Sequence, residues 1–159
     1  MRVKVLKLNL IPEVAEEIKV ALRKSGDHEI GGILMGEHIG LDEFKVTKIT
    51  VQKRGAISSF MRLIEDALVK LNVFFKQSEN NYSRFNYIGE WHSHPLFSPY
   101  PSSKDDDSMM EIIMDEKVGA NFAVLIIVKL VPVQWLIGTA HTYLPGGMKS
   151  QSQLVFEES

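Results

Sequence analysis

The chain has 159 residues, 45% of them hydrophobic and 24% charged, with a formal net charge of −2. This composition is typical of a globular protein with one core of ordinary size and gives no indication of a nucleic-acid-binding surface. The sequence contains no cysteine, which excludes a thiol nucleophile, a thiolate metal site and any disulfide, and its longest apolar run, residues 122–128, is too short to span a bilayer.

The N-terminal segment alternates apolar and polar residues, which predicts a strand rather than a signal peptide, and a cytoplasmic location is therefore expected. Hydrophobic periodicity along the chain predicts the element order β α β β α β α β β. The predicted strands cover residues 3–9, 30–35, 44–51, 85–94, 121–129 and 134–141, and the predicted helices run from Pro12 to the Ser25-Gly26-Asp27 stop, from Asp66 to Gln77 and from Ser102 to Lys117. This order predicts a single α/β domain with a mixed sheet and packed helices, covering residues 1–145, followed by a C-terminal tail at 146–159.

The stretch from His92 to Asp105 carries the strongest chemical signal. His92 and His94 are two residues apart on a predicted strand, so their imidazoles point to the same face. A proline-rich loop, Pro95 to Pro101, returns the chain to a helix whose first turn contains Asp105. Two neutral imidazoles and one carboxylate are a common zinc ligand set that leaves the fourth position open. The pattern therefore predicts a metal site, although either half of it alone is weak evidence.

The run His92-Ser93-His94-Pro95, six residues and then Ser102-x-x-Asp105 resembles the signature of the JAMM/MPN zinc metallopeptidases. The resemblance covers most of the chain and implies a cytidine deaminase-like JAB/MPN fold, with Zn²⁺ held by His92, His94 and Asp105. It also implies that Glu29, which precedes a glycine-containing strand, is the general base. Ser102 matches the serine that stabilises the oxyanion, and it also suits a helix cap.

Several neighbouring residues leave alternatives open. Ser103-x-x-Asp106 also fits the Ser-x-x-Asp pattern, but the family spacing selects Ser102 and Asp105, so Asp106 and Asp107 are expected to be solvated charges of the first helical turn. Glu90 shares the strand face of the two histidines. It is either a group that orients a ligand or a structural or substrate-facing residue.

The resemblance implies hydrolysis of a peptide or isopeptide bond after the C-terminus of a ubiquitin-like protein. The sequence of residues 87–95 is most similar to that of small stand-alone bacterial members of the family, among them the deconjugating peptidases of CBASS-type anti-phage operons. Expected partners are therefore a conjugated protein tail and an E1/E2-like conjugation pathway. Binding to nucleic acid or to a membrane is not expected. Alternatives are the processing of a sulfur-carrier precursor, the hydrolysis of a small amide and a catalytically silent MPN scaffold.

Overall fold

The computed structural model describes residues 5–53, 60–116, 118–132 and 135–158. Within these ranges the chain forms eight strands and three helices. The strands are β1 (Lys7–Leu10), β2 (Ile30–Gly40), β3 (Glu43–Ile49), β4 (Gln52–Lys53), β5 (Phe85–Ser93), β6 (Ala123–Val131), β7 (Trp135–Leu144) and β8 (Met148–Phe156), and the helices are α1 (Pro12–Ser25), α2 (Phe60–Gln77) and α3 (Ser103–Met114). None of the helices described is both long and apolar enough to cross a membrane.

The sheet closes on itself, and the prediction of an α/β fold with helices packed on a mixed sheet is therefore wrong. Seven of the strands described follow the order β3-β1-β8-β7-β6-β5-β2, and β2 pairs with β3 to complete a mixed barrel, while β4 pairs only with the start of β2. Closure depends on β1, which is parallel to both β3 and β8. Pairings between segments so far apart in the chain leave no mark in local periodicity.

The C-terminal segment belongs to the barrel. Residues 148–156, which the sequence analysis assigned to a tail, form β8 between β7 and β1. Their polar character follows from the burial pattern, because most of these side chains are exposed or half-buried and only Ser152 is buried. Strand β4 was also missed, and α2 begins at Phe60, six residues before the predicted Asp66. Predictions for residues 3–4, Lys117 and Gln134 lie outside the residues described.

The two faces of β6 show how the helices are distributed. Val124, Ile126 and Val128 share a core cluster with α1, whereas Leu125 and Ile127 share another cluster with α3. This alternation is the period of two expected for a strand covered on both faces. A third cluster joins α2 to the outer face of β2. The first cluster therefore fills the barrel together with α1, while α2 and α3 cover its outside.

Candidate metal and catalytic site

Strand β5 carries the two predicted histidine ligands. Trp91 is fully buried in the cluster that contains α1, so the neighbouring His92 points to the opposite, outer face. His92 lies beside Gly31 of β2 and Ile127 of β6. His94 lies just past the end of β5, where its backbone N–H donates to Val128 O at 3.0 Å. Both histidines are buried, with exposed fractions of 5% and 6%, so their rings are held in place by packing.

Gly31 provides the space for the His92 ring. A Cβ atom at this position would lie 2.9 Å from His92 Cδ2 and 2.3 Å from Trp91 O. Carbon atoms in contact are normally about 3.5–4.0 Å apart. Any side chain at residue 31 would therefore displace the imidazole, which gives a physical reason for the glycine-containing strand beside the His-x-His pair.

Ser93, between the two histidines, ties the Glu29 segment to β5. Its hydroxyl accepts the backbone N–H of Ile30 at 3.0 Å in a buried position. Glu29 is thereby fixed next to the end of β5, where it is half-buried. Its charge is close enough to His94 to contribute to raising the pKa of that imidazole. No role was predicted for Ser93 from the sequence, and only its position inside the motif could have indicated one.

Asp105 and Ser102 form a capping box at the start of α3. The Ser102 hydroxyl accepts the Asp105 N–H at 3.1 Å, and Asp105 Oδ2 accepts the Ser102 N–H at 3.0 Å. These bonds satisfy two donors of the helix N-terminus, which would otherwise have no intrahelical partner. Ser102 is exposed, whereas Asp105 is only 2% exposed. The cap therefore holds the Asp105 carboxylate inward, toward the histidines.

Asp105 contacts both of the other predicted ligands. His92 Nδ1 lies 3.5 Å from Asp105 Oδ1, and His94 Nε2 lies 3.1 Å from Asp105 Oδ2. The carboxylate thus has one oxygen on each imidazole. Among the residues described, no group of three or more His, Asp and Glu side chains has an arrangement that could hold a metal ion. The contacts bring the predicted residues together without making them converge on a common point.

These contacts shift the protonation of the site. Burial alone would raise the pKa of Asp105, but hydrogen bonds with His92, His94 and the Ser102 backbone outweigh it and hold the pKa well below its usual range. The hydrogen bond with Asp105 raises the pKa of His94 above its usual 6.5, against an opposing effect of burial. His94 Nδ1 also faces the Ser98 carbonyl at 3.1 Å. Oxygen acceptors therefore face both ring nitrogens of His94, and this environment favours the protonated imidazole.

Glu90 is buried beside the histidines, on the outer face of the barrel. Its exposed fraction is 5%, and its Oε2 lies 4.0 Å from His92 Nε2. Glu90 pairs with Ile33 on one side and Leu125 on the other, which belong to the α2 and α3 clusters. Glu90 therefore lies between these helices, next to His92 on the same face of β5. This position suits the orienting role that the sequence analysis kept as one alternative.

The loop from Pro95 to Pro101 is fixed to the barrel by its backbone. Lys129 Nζ donates to Phe97 O at 2.9 Å, and Thr139 Oγ1 donates to Pro99 O at 2.5 Å. The side chains of Leu96, Phe97 and Tyr100 are 63%, 61% and 52% exposed. The loop therefore presents apolar side chains to solvent from an ordered backbone. Lys129 and Thr139 were not identified from the sequence, because their partners are carbonyl groups.

Comparisons with known proteins agree with this architecture. A protein family described as prokaryotic homologs of the JAB domain matches residues 12–142. The chain therefore belongs to this family, which confirms the family resemblance in the sequence. The solution structure of protein DSY2949 from Desulfitobacterium hafniense is similar in fold, with a TM-score of 0.66, 17% identity and coverage of 96% of this chain and 94% of that one. The search of curated proteins found no match.

Proposed function

We propose that the protein is a zinc-dependent peptidase that cleaves directly after the C-terminus of a protein tail, at a peptide or isopeptide bond. Membership of the prokaryotic JAB family supports an MPN-type hydrolase or scaffold. The observation that favours the hydrolase is the contact of the Asp105 carboxylate with both His92 and His94. The charge of Glu29 also acts on the His94 imidazole.

The donor set fits Zn²⁺ in type, and two of its pairwise spacings are close to those of a zinc site. Neighbouring ligand atoms in a tetrahedral zinc site with bond lengths of about 2.0–2.1 Å lie about 3.3 Å apart. The two contacts of Asp105, at 3.5 and 3.1 Å, are on either side of this value. Binding requires side-chain rotations that bring His92, His94 and Asp105 to one point, because each histidine contacts a different carboxylate oxygen. The Ser98 carbonyl on His94 Nδ1 would leave Nε2 for the metal.

Bound Zn²⁺ would polarise the scissile carbonyl and lower the pKa of a water molecule toward neutrality. Glu29 takes a proton from the attacking water as the new C–O bond forms. It delivers that proton to the leaving amine as the C–N bond breaks, so the proton count balances without a covalent enzyme intermediate. The Ser102 hydroxyl donates to the carbonyl oxygen as its negative charge develops. A hydroxyl that accepts the Asp105 N–H can still donate its own proton, so capping and catalysis are compatible.

A protein tail is favoured as substrate because of the loop beside the histidines. Leu96, Phe97 and Tyr100 offer apolar contacts, and the backbone bonds from Lys129 and Thr139 fix the loop in advance. Preorganisation of this kind reduces the entropy lost on binding an extended peptide. The proposed partner is a ubiquitin-like or similarly conjugated protein supplied by an E1/E2-like pathway, with anti-phage defence as one setting.

The experiment is a cleavage assay on ubiquitin-like tails, and on a sulfur-carrier precursor, fused to a reporter. The wild type should cut directly after the tail, as located by mass spectrometry, and chelation should stop the reaction. Glu29→Gln should cleave far more slowly than the wild type, and Asp27→Asn is the matched control, since this nearby acid is exposed. Cleavage that survives chelation, or activity on small amides without activity on any tail, would contradict the proposal.

A metal-free MPN scaffold is the second candidate. One observation favours it: among the residues described, His92 and His94 contact different oxygens of Asp105 and do not converge with it on a common point, and no group of three or more His, Asp and Glu side chains has an arrangement that could hold a metal ion. The scaffold and the peptidase differ in zinc affinity. Equilibrium zinc titration of chelator-treated protein would show one tight site for the peptidase and none for the scaffold.

A further inference from the structure

The first turn of α3 is attached to the C-terminal hairpin of the barrel by Asp106. Tyr143 of β7 donates its hydroxyl to Asp106 Oδ1 at 2.5 Å, and Lys149 of β8 donates to Asp106 Oδ2 at 2.6 Å. Tyr143 and Lys149 are directly paired across the two strands. One carboxylate is thus held by both members of a cross-strand pair, an arrangement that we call the Asp106 clamp. It corrects the expectation that Asp106 is merely a solvated charge.

The three consecutive aspartates have different environments because successive residues in a helix point about 100° apart. Asp105 is buried against His92 and His94, Asp106 is half-buried in the clamp, and Asp107 is exposed. The Tyr143 side chain is fully buried. Burial, followed by the hydrogen bond to Asp106, raises the pKa of its hydroxyl, which therefore remains a proton donor. The clamp consequently fixes the rotation of α3 that points Asp105 inward.

We infer that Asp106, Tyr143 and Lys149 are positioning residues for the proposed metal site, and that β8 is thereby a functional part of it. This inference rests on the proposed function. Asp105 is the only predicted ligand on α3, whereas His92 and His94 lie on or next to β5. The distance between the two halves of the site therefore depends on how α3 is attached to the barrel. Metal–ligand distances lie within about 0.2 Å of their usual values, so a shift of α3 that the Asp105 side chain cannot follow would weaken binding.

The experiment measures equilibrium Zn²⁺ and Co²⁺ binding to the full chain, well below the melting temperature of each variant. Part of the clamp is removed in each of three variants, Asp106→Asn, Tyr143→Phe and Lys149→Met. Lys149→Arg keeps the positive charge of residue 149. Asp107→Asn is the matched control on the same helical turn. We expect the first three variants to bind Zn²⁺ about 10–100-fold more weakly, as for other groups that orient metal ligands. The Co²⁺ absorption spectrum of these three variants should also differ from that of the wild type. Lys149→Arg and Asp107→Asn should have the affinity and the spectrum of the wild type.

Two outcomes would overturn the inference, and they are distinguishable from each other. If the wild type binds metal and the clamp variants lose melting temperature but keep their affinity and Co²⁺ spectrum, the clamp serves stability alone. If the wild type binds neither ion, the proposed zinc function fails and the positioning role fails with it. Tyr143→Phe keeps the ring that fills the core, so it provides the decisive comparison if Asp106→Asn does not fold.

Discussion

Replacing Gly31 by alanine should displace the imidazole ring of His92. The new Cβ would lie 2.9 Å from His92 Cδ2, which is roughly 0.6 Å or more inside normal carbon contact. It would also lie 2.3 Å from Trp91 O, so β2 and β5 must separate locally. We expect a loss of about 1–3 kcal/mol in the free energy of unfolding, as for other overpacked sites. Because the imidazole moves further than metal ligation tolerates, zinc affinity should fall by about tenfold or more.

Gly40→Ala is the control, since it adds the same methyl group to the same strand. The nearest atom to its Cβ would be Glu43 Cβ at 4.0 Å, an ordinary contact. The assay combines thermal melting with zinc titration in both variants, where each kcal/mol corresponds to about 2–4 °C in a chain of this size. If Gly31→Ala melts and binds zinc like Gly40→Ala, the glycine is not needed to accommodate the His92 ring.

Other consequences can be measured in the same way. Glu29→Gln should retain zinc while its turnover falls by about 10²–10⁴-fold, as steady-state kinetics would show, because only proton transfer is lost. Ser102→Ala should lower stability by ~1 kcal/mol through loss of the cap and slow cleavage on the order of 10²-fold through loss of the oxyanion donor; melting and initial rates separate the two effects. Below pH 6.5 the raised pKa of His94 stabilises the metal-free fold, and this contribution is lost as pH rises through the folded-state pKa. The stability difference between the wild type and His94→Gln should therefore shrink with rising pH in chelator, and excess zinc should reverse this trend.

Each of these expectations has a result that contradicts it. Wild-type turnover by Glu29→Gln would remove its role as base and make Glu90 the next candidate. An unchanged rate in Ser102→Ala, with the stability loss present, would leave that serine as a cap alone. A stability difference for His94→Gln that is constant across pH would show that the hydrogen bond with Asp105 does not favour the imidazolium.

The segments that form the site were largely predictable from the sequence because they are local. His92 and His94 follow from alternation along one strand, and the Ser102–Asp105 cap follows from spacing at a helix start. Whether these residues hold zinc stays a prediction. Their proximity was expected from the short proline-rich loop that joins the His-x-His pair to the helix start and from the family resemblance, although no local pattern specifies how close α3 lies to β5.

The barrel was not predictable in this way. Its closure depends on β1, a four-residue strand that is parallel to β3 and β8, and on β8 itself. Most β8 side chains are polar because only one of them, Ser152, is buried, and Gly146 and Gly147 precede the strand with positive φ. Polar residues after a glycine turn are also typical of a disordered tail. The Asp106 clamp was missed for the same reason, since its lysine lies on that strand.

Anomalous X-ray scattering at the zinc edge, from crystals grown with Zn²⁺, would show whether His92, His94 and Asp105 bind the metal. We expect one strong peak per chain, about 2.0–2.2 Å from a nitrogen of His92, a nitrogen of His94 and an oxygen of Asp105. Glu29 should approach the same ion without ligating it. A map with no peak at these residues, while the Asp105 carboxylate still bridges the two imidazoles, would exclude the proposed zinc site and favour a metal-free scaffold.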